Sequence, residues 1–553
     1  MDTLVLDSAI ASRWPALRAA GTLAVGQLHA AARAPRLRLL LADSDTTVAA
    51  SAAFALGLMR DSAAVSALAS SLRVSAPVAR EAAWSLGEIG SPARAAILDA
   101  LGAAARGSAT AVVARALPAL LVAAGKLRPL PVDVIAPFAA PAPSRDVEVT
   151  RAAAYALARA RSPGGARTLL ALATHSDAEV REQVARGLAR AAAGDSLGDS
   201  ARVVLARLAA DPSAHVRVNA VRSLGSYGPA ARRALVALLH DGDANVRVAV
   251  AQSLGGVLGS SRRDWREAWD ADTSFMFRRS LVASAVTSGV ILNAIDEDNP
   301  DNWQRVPDWR YRAAVAEAAA GATQIERIVE VSLPLTRDED GRVRAAAYGV
   351  FAPYVDSAGF QQHPWRRQFL LPALRDADFT VRASVLDALA GRARADEVPV
   401  VLQSYRLAMS DTSNDARVAA VRYFAAAWRS DSAAFGDSLR ATLRALPSPS
   451  DPLERAAGRG VSLFSHWTDA ADAPHPLSWY EDVMRTIVLP SLAGRSPRAE
   501  VVTERGSITV ELFGADAPLT VLNFTTLARR GFLRDTRFHR VVPNFVAQDG
   551  DPR

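Results

Sequence analysis

One recurring pattern limits what most of this chain can fold into. A turn containing Asp, Ser or Pro is followed by Val-Arg, then by small residues and then by Leu or a similar residue. The sharpest copies place Val-Arg at 180–181, 216–217, 246–247, 343–344 and 381–382, and weaker copies begin at Asp43, Pro77, Asp146 and Asp415. Successive copies lie roughly 30–40 residues apart, a period typical of stacked helix pairs in which each repeat contacts only its neighbours.

A single copy shows how such a helix is built. Asp177 stands where its carboxylate can cap the incoming helix. Val180, Val184 and Leu188 follow at i, i+4 and i+8, so they lie on one helical face. Gly187 allows the neighbouring helix to approach closely. Because one helix pair cannot bury its own apolar stripe, neighbouring pairs must stack and bury it jointly.

The repeated pattern resembles HEAT and HEAT-like repeats, whose second helix often opens with Asp-x-x-Val-Arg. The resemblance implies that Asp and Arg form a ladder between neighbouring repeats. The arginines that it makes structural are Arg181, Arg217, Arg247, Arg344 and Arg382. It predicts an α-solenoid over residues 1–445 that binds a protein partner on its concave face. The helix that follows the copy at Asp177 is predicted over residues 201–210.

Residues 258–322 are predicted to interrupt the repeats as an irregular insertion. It contains an acidic loop at 296–301 and four tryptophans, Trp265, Trp269, Trp303 and Trp309. Two interpretations fit: a binding ridge, or an irregular repeat whose tryptophans fill a widened core, which we favour. The acidic loop lacks the central Gly and the closing Glu of an EF-hand, so calcium binding is not predicted.

A second interruption, rich in proline, covers residues 446–497. It is predicted to be a linker with a short helix near residues 479–487. Trp467, Trp479 and Tyr480 are expected to pack this linker onto a neighbouring domain. Residues 498–553 then form a separate C-terminal segment.

Composition narrows the chemistry of the chain. Cysteine is absent, which excludes disulfides, thiolate metal sites and a cysteine nucleophile. The eight histidines are scattered, and no zinc-protease, P-loop, dinucleotide-binding or nucleophile-elbow motif is present. The net charge is +7, and Lys126 is the only lysine. Because the arginines are spread evenly beside Asp and Glu, nucleic-acid binding is the weaker interpretation, and its mark is an affinity that falls steeply with salt.

The sequence carries no membrane or export signal that we can identify. No apolar run approaches the roughly 20 residues that a membrane helix needs. Residues 1–20 lack a basic region followed by an apolar core, so no signal peptide is predicted. The cytoplasm is the default expectation for the compartment. A location outside the cytoplasm stays open, since sequence before Met1 would carry any signal peptide.

The last fifty residues change in character from helical to β-rich. Residues 500–512 are rich in Val, Ile and Thr on both sides of Arg505-Gly506, which predicts a β-hairpin. Asp516 is predicted to cap the next helix, and Gly531 to close it. The predicted elements are a hairpin over 500–512, a helix beginning at Pro518, and strands over 537–542 and 545–548.

Two stretches of this segment resemble the signature of the cyclophilin family of peptidyl-prolyl cis-trans isomerases. They run from Asn523 to Phe532 and from Phe538 to Asp551. The order strand, strand, helix, strand, strand matches the opening half of the cyclophilin barrel. The resemblance therefore implies a mainly α chain in which a HEAT-like solenoid and a linker precede a partial cyclophilin-like β-barrel.

The resemblance assigns roles to five residues. Arg540 takes the position of the catalytic arginine. Phe545 lines the proline pocket, and Gln548 hydrogen-bonds the substrate backbone. Val546 stands in the apolar wall where the family often has Met, and His539 lies beside the substrate. No metal or cofactor is implied.

The implied activity is cis-trans isomerisation of Xaa-Pro bonds in proline-containing polypeptide clients. The resemblance covers residues 498–553 and only the first half of such a domain. We therefore expect the chain to be a fragment of a longer protein. The alternative is a non-catalytic HEAT-repeat scaffold with an incomplete isomerase-like tail.

Overall fold

The structure, a computed structural model, describes a chain that is mostly helical, as predicted. The described residues are 3–140, 146–159, 163–259, 261–288, 307–321, 325–354, 366–467, 475–538, 540–542 and 546–550. The chain divides into two compact units, Met1–Asp301 and Asn302–Arg553.

The described part of the first unit is entirely helical, with short 3₁₀ turns between helices. The helices are α1 Thr3–Ile10, α2 Pro15–Gln27, α3 Ala34–Leu40, α4 Thr46–Leu58, α5 Val65–Ser71, α6 Ala76–Ile89, α7 Arg94–Ala105, α8 Ala111–Ala124, α9 Val132–Ala139, α10 Val147–Ala158, α11 Pro163–Ala171, α12 Ala178–Gly187, α13 Arg190–Leu208, α14 Ala214–Gly225, α15 Arg232–Val236, α16 Ala244–Ser253, α17 Gly255–Leu258, α18 Arg262–Ala271 and α19 Phe275–Thr287.

These helices form two layers. In one layer α2, α4, α6, α8, α10, α12, α14 and α16 each pack on the next, and α19 follows α16. We call this the second-helix layer, because it contains the second helix of each repeat. The intervening helices pack on it from one side and on each other, as α9 does on α11 and α11 on α13. The predicted stack of helix pairs is thereby confirmed.

The copy at Asp177 folds as its sequence predicts. Oδ1 of Asp177 accepts a hydrogen bond of 3.0 Å from the backbone N–H of Val180 and so caps α12. Val184 and Leu188 are fully buried on the same face. A Cβ at Gly187 would stand 3.0 Å from Cα of Ala158, so the glycine is required for α12 to lie this close to α10.

The helix predicted over residues 201–210 is the later part of α13, Arg190–Leu208. Gly194 interrupts α13, because its φ of 64° and ψ of −174° are not helical, so a short helical turn precedes the predicted helix. Ala192 and Ala193 in that turn are buried.

Many repeats are tied to the next by one arginine. In α14, Nε and Nη2 of Arg217 donate to Oδ2 and Oδ1 of Asp241 at 2.9 and 2.8 Å. Nη1 of Arg217 donates to the carbonyl oxygens of Asp211 and Pro212, in the turn before its own helix. Oδ1 of Asp241 also accepts from the backbone N–H of Asp243. One guanidinium thus fixes its own turn and the turn of the following repeat.

The bridge recurs along both units, and we call the whole set the arginine ladder. In the first unit its pairs are Arg18–Asp43, Arg151–Asp177, Arg181–Asp211, Arg217–Asp241 and Arg247–Asp272. In the second unit they are Arg312–Asp338, Arg344–Asp376, Arg382–Asp411 and Arg417–Glu454. All five arginines predicted to be structural belong to it, so that prediction is confirmed.

The ladder also continues into the segment predicted to interrupt the repeats. The Arg247–Asp272 pair joins α16 to the turn before α19, inside residues 258–322. Trp265 is fully buried, and its Nε1 donates to the carbonyl of Gly259 at 2.9 Å. This tryptophan therefore fills core, as the favoured interpretation predicts. Trp303 and the loop at 296–301 lie outside the described residues.

The second unit contains helices, two π-helical turns (Arg366–Leu370 and Met484–Val488) and four strands. The helices are α20 Trp309–Ala319, α21 Ile325–Leu335, α22 Gly341–Gly349, α23 Leu371–Ala373, α24 Phe379–Ala390, α25 Val398–Leu407, α26 Asp415–Ser430, α27 Asp437–Arg444, α28 Pro452–Gly458, α29 Leu477–Val483, α30 Leu489–Leu492 and α31 Pro518–Arg529. The strands are β1 Arg498–Thr503, β2 Gly506–Glu511, β3 Arg540–Val542 and β4 Val546–Gln548.

Repeat stacking in this unit extends into the proline-rich segment. α20, α22, α24, α26 and α28 each pack on the next, and α28 lies within residues 446–497. Glu454 on α28 is buried and accepts from Nε of Arg417 at 3.2 Å and from the hydroxyl of Tyr405 at 2.5 Å. Trp467 stacks on Phe464 with ring centroids 4.2 Å apart. Within the part of the chain that the structure describes, no helix is long and apolar enough to cross a bilayer.

Removing one rung of the ladder should destabilise the stack. We expect Arg217→Met to lower the free energy of unfolding by about 2–3 kcal/mol, since it removes a bidentate ion pair and leaves Asp241 half-buried without its cation. Arg207→Met, at an exposed position of α13, should change it by less than about 0.5 kcal/mol. Urea unfolding followed by circular dichroism measures both variants. Equal losses in the two would contradict the role given to the ladder.

The ladder also predicts how stability depends on pH. The hydrogen bond from Arg18 lowers the pKa of Asp43, and the one from Arg151 lowers the pKa of Asp177. A carboxyl group with a depressed folded pKa stabilises the fold above its unfolded pKa, near 3.9, and loses that contribution as the pH falls towards the folded value. The urea midpoint should therefore be nearly constant from about pH 7 to 5 and fall below about pH 4. A midpoint that rises below pH 4 would be incompatible with this ladder.

Candidate active site in the C-terminal segment

The C-terminal segment opens with the predicted hairpin. β1 and β2 are antiparallel, with Val501 opposite Ile508 and Thr503 opposite Gly506. Gly506 adopts a φ of 125°, which only glycine reaches without strain, and so permits the tight turn after Arg505. The hairpin prediction is confirmed.

The helix after the hairpin begins at the predicted residue and closes at the predicted glycine, but it lacks the predicted cap. α31 begins at Pro518, and its N-cap position is Ala517, without a side-chain cap. The prediction that Asp516 caps this helix is therefore wrong, because the chain enters the helix one residue later than that cap requires. Gly531 has a φ of 73° and closes the helix, and Phe532 N–H then donates to the carbonyl of Leu527 at 3.1 Å.

A small apolar core holds α31 in place. Val483 and Ile487, from the helical residues before the hairpin, bury their side chains against Val521 of α31. Trp479, Leu512 and Leu522 pack around this core. A Cβ at Gly514 would stand 2.7 Å from Cγ2 of Ile487, so the chain passes directly over the core there. Trp479 thus packs the proline-rich segment onto the hairpin and helix that follow, as predicted.

The second hairpin carries the residues predicted to be functional. β3 and β4 are antiparallel, with Arg540 opposite Gln548 and Val542 opposite Val546. Directly opposed residues of an antiparallel pair have Cα atoms about 4.5–5.5 Å apart. The backbone thereby brings positions 540 and 548 together although eight residues separate them in the sequence. The first strand is shorter than predicted, since residues 537 and 538 lie outside β3, and residue 545 of the second predicted strand lies outside the described residues.

The remaining predicted site residues divide into two groups. Val546 is half-buried and Gln548 is exposed. His539 and Phe545 lie outside the described residues.

An arginine does not act as a proton donor at neutral pH, and an amide neither gives nor takes a proton, so positions 540 and 548 are suited to hydrogen bonding rather than to acid–base chemistry. Among the described residues, no group of three or more His, Asp or Glu is placed to hold a metal ion.

The described surface of this segment is unusually apolar. Val502, Ile508, Phe513, Phe532 and Phe538 are each at least 42% exposed. These side chains come from both sides of α31.

Fold and site together define a helical-repeat protein with a cyclophilin-type segment at its C-terminal end. Residues 498–553 match the family model described as cyclophilin type peptidyl-prolyl cis-trans isomerase/CLD, and residues 201–268 match the model described as HEAT repeats. Both resemblances seen in the sequence are thus confirmed.

Curated isomerases are similar to this chain over about 50 residues. The peptidyl-prolyl cis-trans isomerase-like 1 of Aspergillus niger is 56% identical over 50 residues, which cover 9% of this chain and 31% of that protein. The peptidyl-prolyl cis-trans isomerase of Helicobacter pylori is 54% identical over 54 residues, covering 10% of this chain and 33% of that protein. The chain therefore spans about a third of the length of these relatives.

Two solved structures show a low similarity to this chain. The yeast importin-beta Kap95p gives a TM-score of 0.46 at 14% identity, covering 80% of this chain and 69% of that one. Kap121p bound to Ste12p gives a TM-score of 0.37 at 13% identity, covering 82% of this chain and 65% of that one. The assignment to HEAT repeats rests on the ladder and on the match over 201–268.

One feature of the first unit is not predicted from the sequence. Trp84 on α6 and Tyr155 on α10 line the same cavity, although 71 residues separate them in the sequence. The only signal for it is that both aromatic residues fall in the second helix of a repeat, among alanines.

The small core under α31 predicts how the candidate site can be loosened. We expect Ile487→Ala to cost about 2–5 kcal/mol of local stability, since it removes buried methyl groups from a core of few residues. Amide hydrogen exchange in α31 should then speed up. Leu489→Ala, two residues on and 55% exposed, is the control and should leave exchange unchanged. Unchanged exchange in Ile487→Ala as well would mean that this core does not hold the segment.

Proposed function

We propose that this protein is a peptidyl-prolyl cis-trans isomerase that acts in protein folding and carries its catalytic segment on a HEAT-repeat scaffold. The observation that carries the proposal is the motif from Phe538 to Asp551, together with the register that sets Arg540 opposite Gln548. The identity of 54–56% to isomerases over this segment supports the assignment.

The proposed chemistry follows from the nature of the amide bond. Rotation about an Xaa-Pro bond faces a barrier of roughly 18–20 kcal/mol, because the C–N bond has partial double-bond character. A guanidinium at position 540 that donates to the prolyl nitrogen favours the twisted, pyramidal form of that nitrogen. It thereby stabilises the transition state more than either planar ground state. No proton is transferred, and no cofactor or metal takes part.

The other site residues hold the substrate during the rotation. Phe545 and Val546 form the apolar wall for the pyrrolidine ring, and Gln548 bonds the substrate backbone on one side of the proline. His539 lies beside the bound peptide. The rotating carbonyl then moves against a ring that stays in place.

We assign the rest of the chain to partner binding. Residues 1–445 form the scaffold, with an irregular stretch near 258–322. Residues 446–497 connect the scaffold to the isomerase segment at 498–553. Support comes from α28, which joins the ladder through Glu454, and from Trp479, which packs against the core under α31. The scaffold brings proline-containing clients or a protein partner to the isomerase segment through its concave face.

Replacing the arginine tests the proposal directly. In the full-length protein we expect Arg540→Ala to lower kcat/KM for a proline-containing tetrapeptide by about 10²–10³-fold, the usual effect of removing one positioned donor. Arg530→Ala, an exposed arginine after α31, should keep full activity. A protease-coupled assay of Xaa-Pro isomerisation measures both. Full activity in Arg540→Ala would overturn the role of this residue, and no activity in the unaltered protein would favour a non-catalytic scaffold.

A further inference from the structure

The first unit has a groove on its second-helix layer, where α6, α8, α10 and α12 lie side by side. It encloses about 390 Å³ and is open on one side. Pro118, Ala119 and Val122 of α8 form its floor, and Trp84 and Tyr155 form walls on the neighbouring helices α6 and α10. Cavities of roughly 300–1,000 Å³ with apolar and aromatic linings are typical of binding sites.

The groove lies over a stretch of α8 that has small side chains, with the rings of Trp84 and Tyr155 on the neighbouring helices. Proline inside a helix removes a backbone hydrogen bond, and together with alanine it places little side-chain volume on this face. Trp84 stacks on Phe54 with ring centroids 4.6 Å apart, so its position is fixed from behind. Both rings of the groove remain half-buried rather than covered. An aromatic side chain held in this way loses little conformational freedom when a partner binds.

Charge is distributed unequally along the groove. At one end Nζ of Lys126 is bonded to Oε1 of Glu88 at 2.6 Å, and Arg159 bonds the Tyr155 hydroxyl at 3.2 Å. At the other end Arg151 is surrounded by three carboxylates, namely Asp177 at 2.6 Å, Glu148 at 2.8 Å and Glu179 at 3.5 Å. The Glu148 and Glu179 side chains are 56% and 64% exposed. Three carboxylates against one guanidinium leave this end negative.

We propose that this groove binds a polypeptide segment with an apolar side chain followed by lysine or arginine. The apolar side chain lies on the floor between Trp84 and Tyr155. The basic side chain pairs with Glu148 and Glu179. The inference deepens the proposed role of the repeats as a scaffold and rests on it, but it does not depend on isomerase activity.

The negative charge of Glu148 and Glu179 favours a basic ligand over an acidic one. A nucleic acid or an acidic peptide would meet Glu148 and Glu179 with like charge, which opposes binding. The long aliphatic stem of a lysine or arginine can cover the apolar floor while its charged end reaches the rim. A basic and apolar peptide therefore fits both features of the groove.

Selection from a phage-displayed library of random peptides on the immobilised full-length protein tests the proposal. We expect enriched peptides to combine an apolar residue with a nearby Lys or Arg. Binding of the enriched sequence, made as a fluorescein-labelled peptide, is then followed by anisotropy. Ala119→Phe fills the groove and should weaken binding by about tenfold or more. Ala114→Phe, exposed on the same helix but outside the groove, is the matched control and should bind normally.

A double variant tests the negative end of the groove. Replacing Glu148 and Glu179 together by Gln should weaken binding about tenfold and reduce its dependence on salt. Asp133→Asn, an exposed acid on α9, should have no effect. Enrichment of acidic peptides, failure to enrich any peptide, or binding that survives Ala119→Phe would each overturn the proposal. Tetrapeptide isomerisation should be normal in Ala119→Phe, whereas Arg540→Ala should lose isomerisation and keep peptide binding, so failures of the two proposals are distinguishable.

Discussion

The two-point grip of an arginine is the interaction on which the repeats depend. In Arg217, Nη1 bonds two carbonyls of its own turn while Nε and Nη2 bond the carboxylate of the next repeat. The guanidinium is planar and its donors have fixed directions, so satisfying one side orients the other. A lysine, with its single ammonium group, could not make both contacts. The acceptor aspartate in turn orders the backbone that begins the following helix.

Small residues allow neighbouring helices of the second-helix layer to pack closely. A Cβ at Gly26 would stand 2.7 Å from Cα of Ala55, and one at Gly225 would stand 2.9 Å from Cβ of Ser253. Ser85 and Ser223 donate from their hydroxyls to carbonyls of the preceding repeat, at 2.7 Å in each case. Neighbouring helices in the second-helix layer are thus nearly in backbone contact. This spacing is why alanine dominates these helices.

Patterns that depend on local spacing could be predicted from the sequence. The cap at Asp177, the buried face of Val180 and Val184, and the hairpin around Gly506 all follow from neighbours in the chain. Features that depend on tertiary contacts could not. The helical turn before Gly194 and the failed cap at Asp516 reflect burial and chain path rather than residue type. The motif identified Arg540 and Gln548, but only strand register sets them opposite each other.

The ladder fixes the length of some segments of this chain and leaves the length of others free to vary. Between ladder arginine and partner the sequence distance changes from 24 residues at Arg217 to 32 at Arg344. The bond from the same arginines to the carbonyl six residues earlier does not change. Insertions and deletions are therefore tolerated in the helices and loops that lead to the next acidic turn, but not within the few residues that join that turn to its arginine. Length variation among natural variants of such a chain should accordingly be concentrated on one side of the stack.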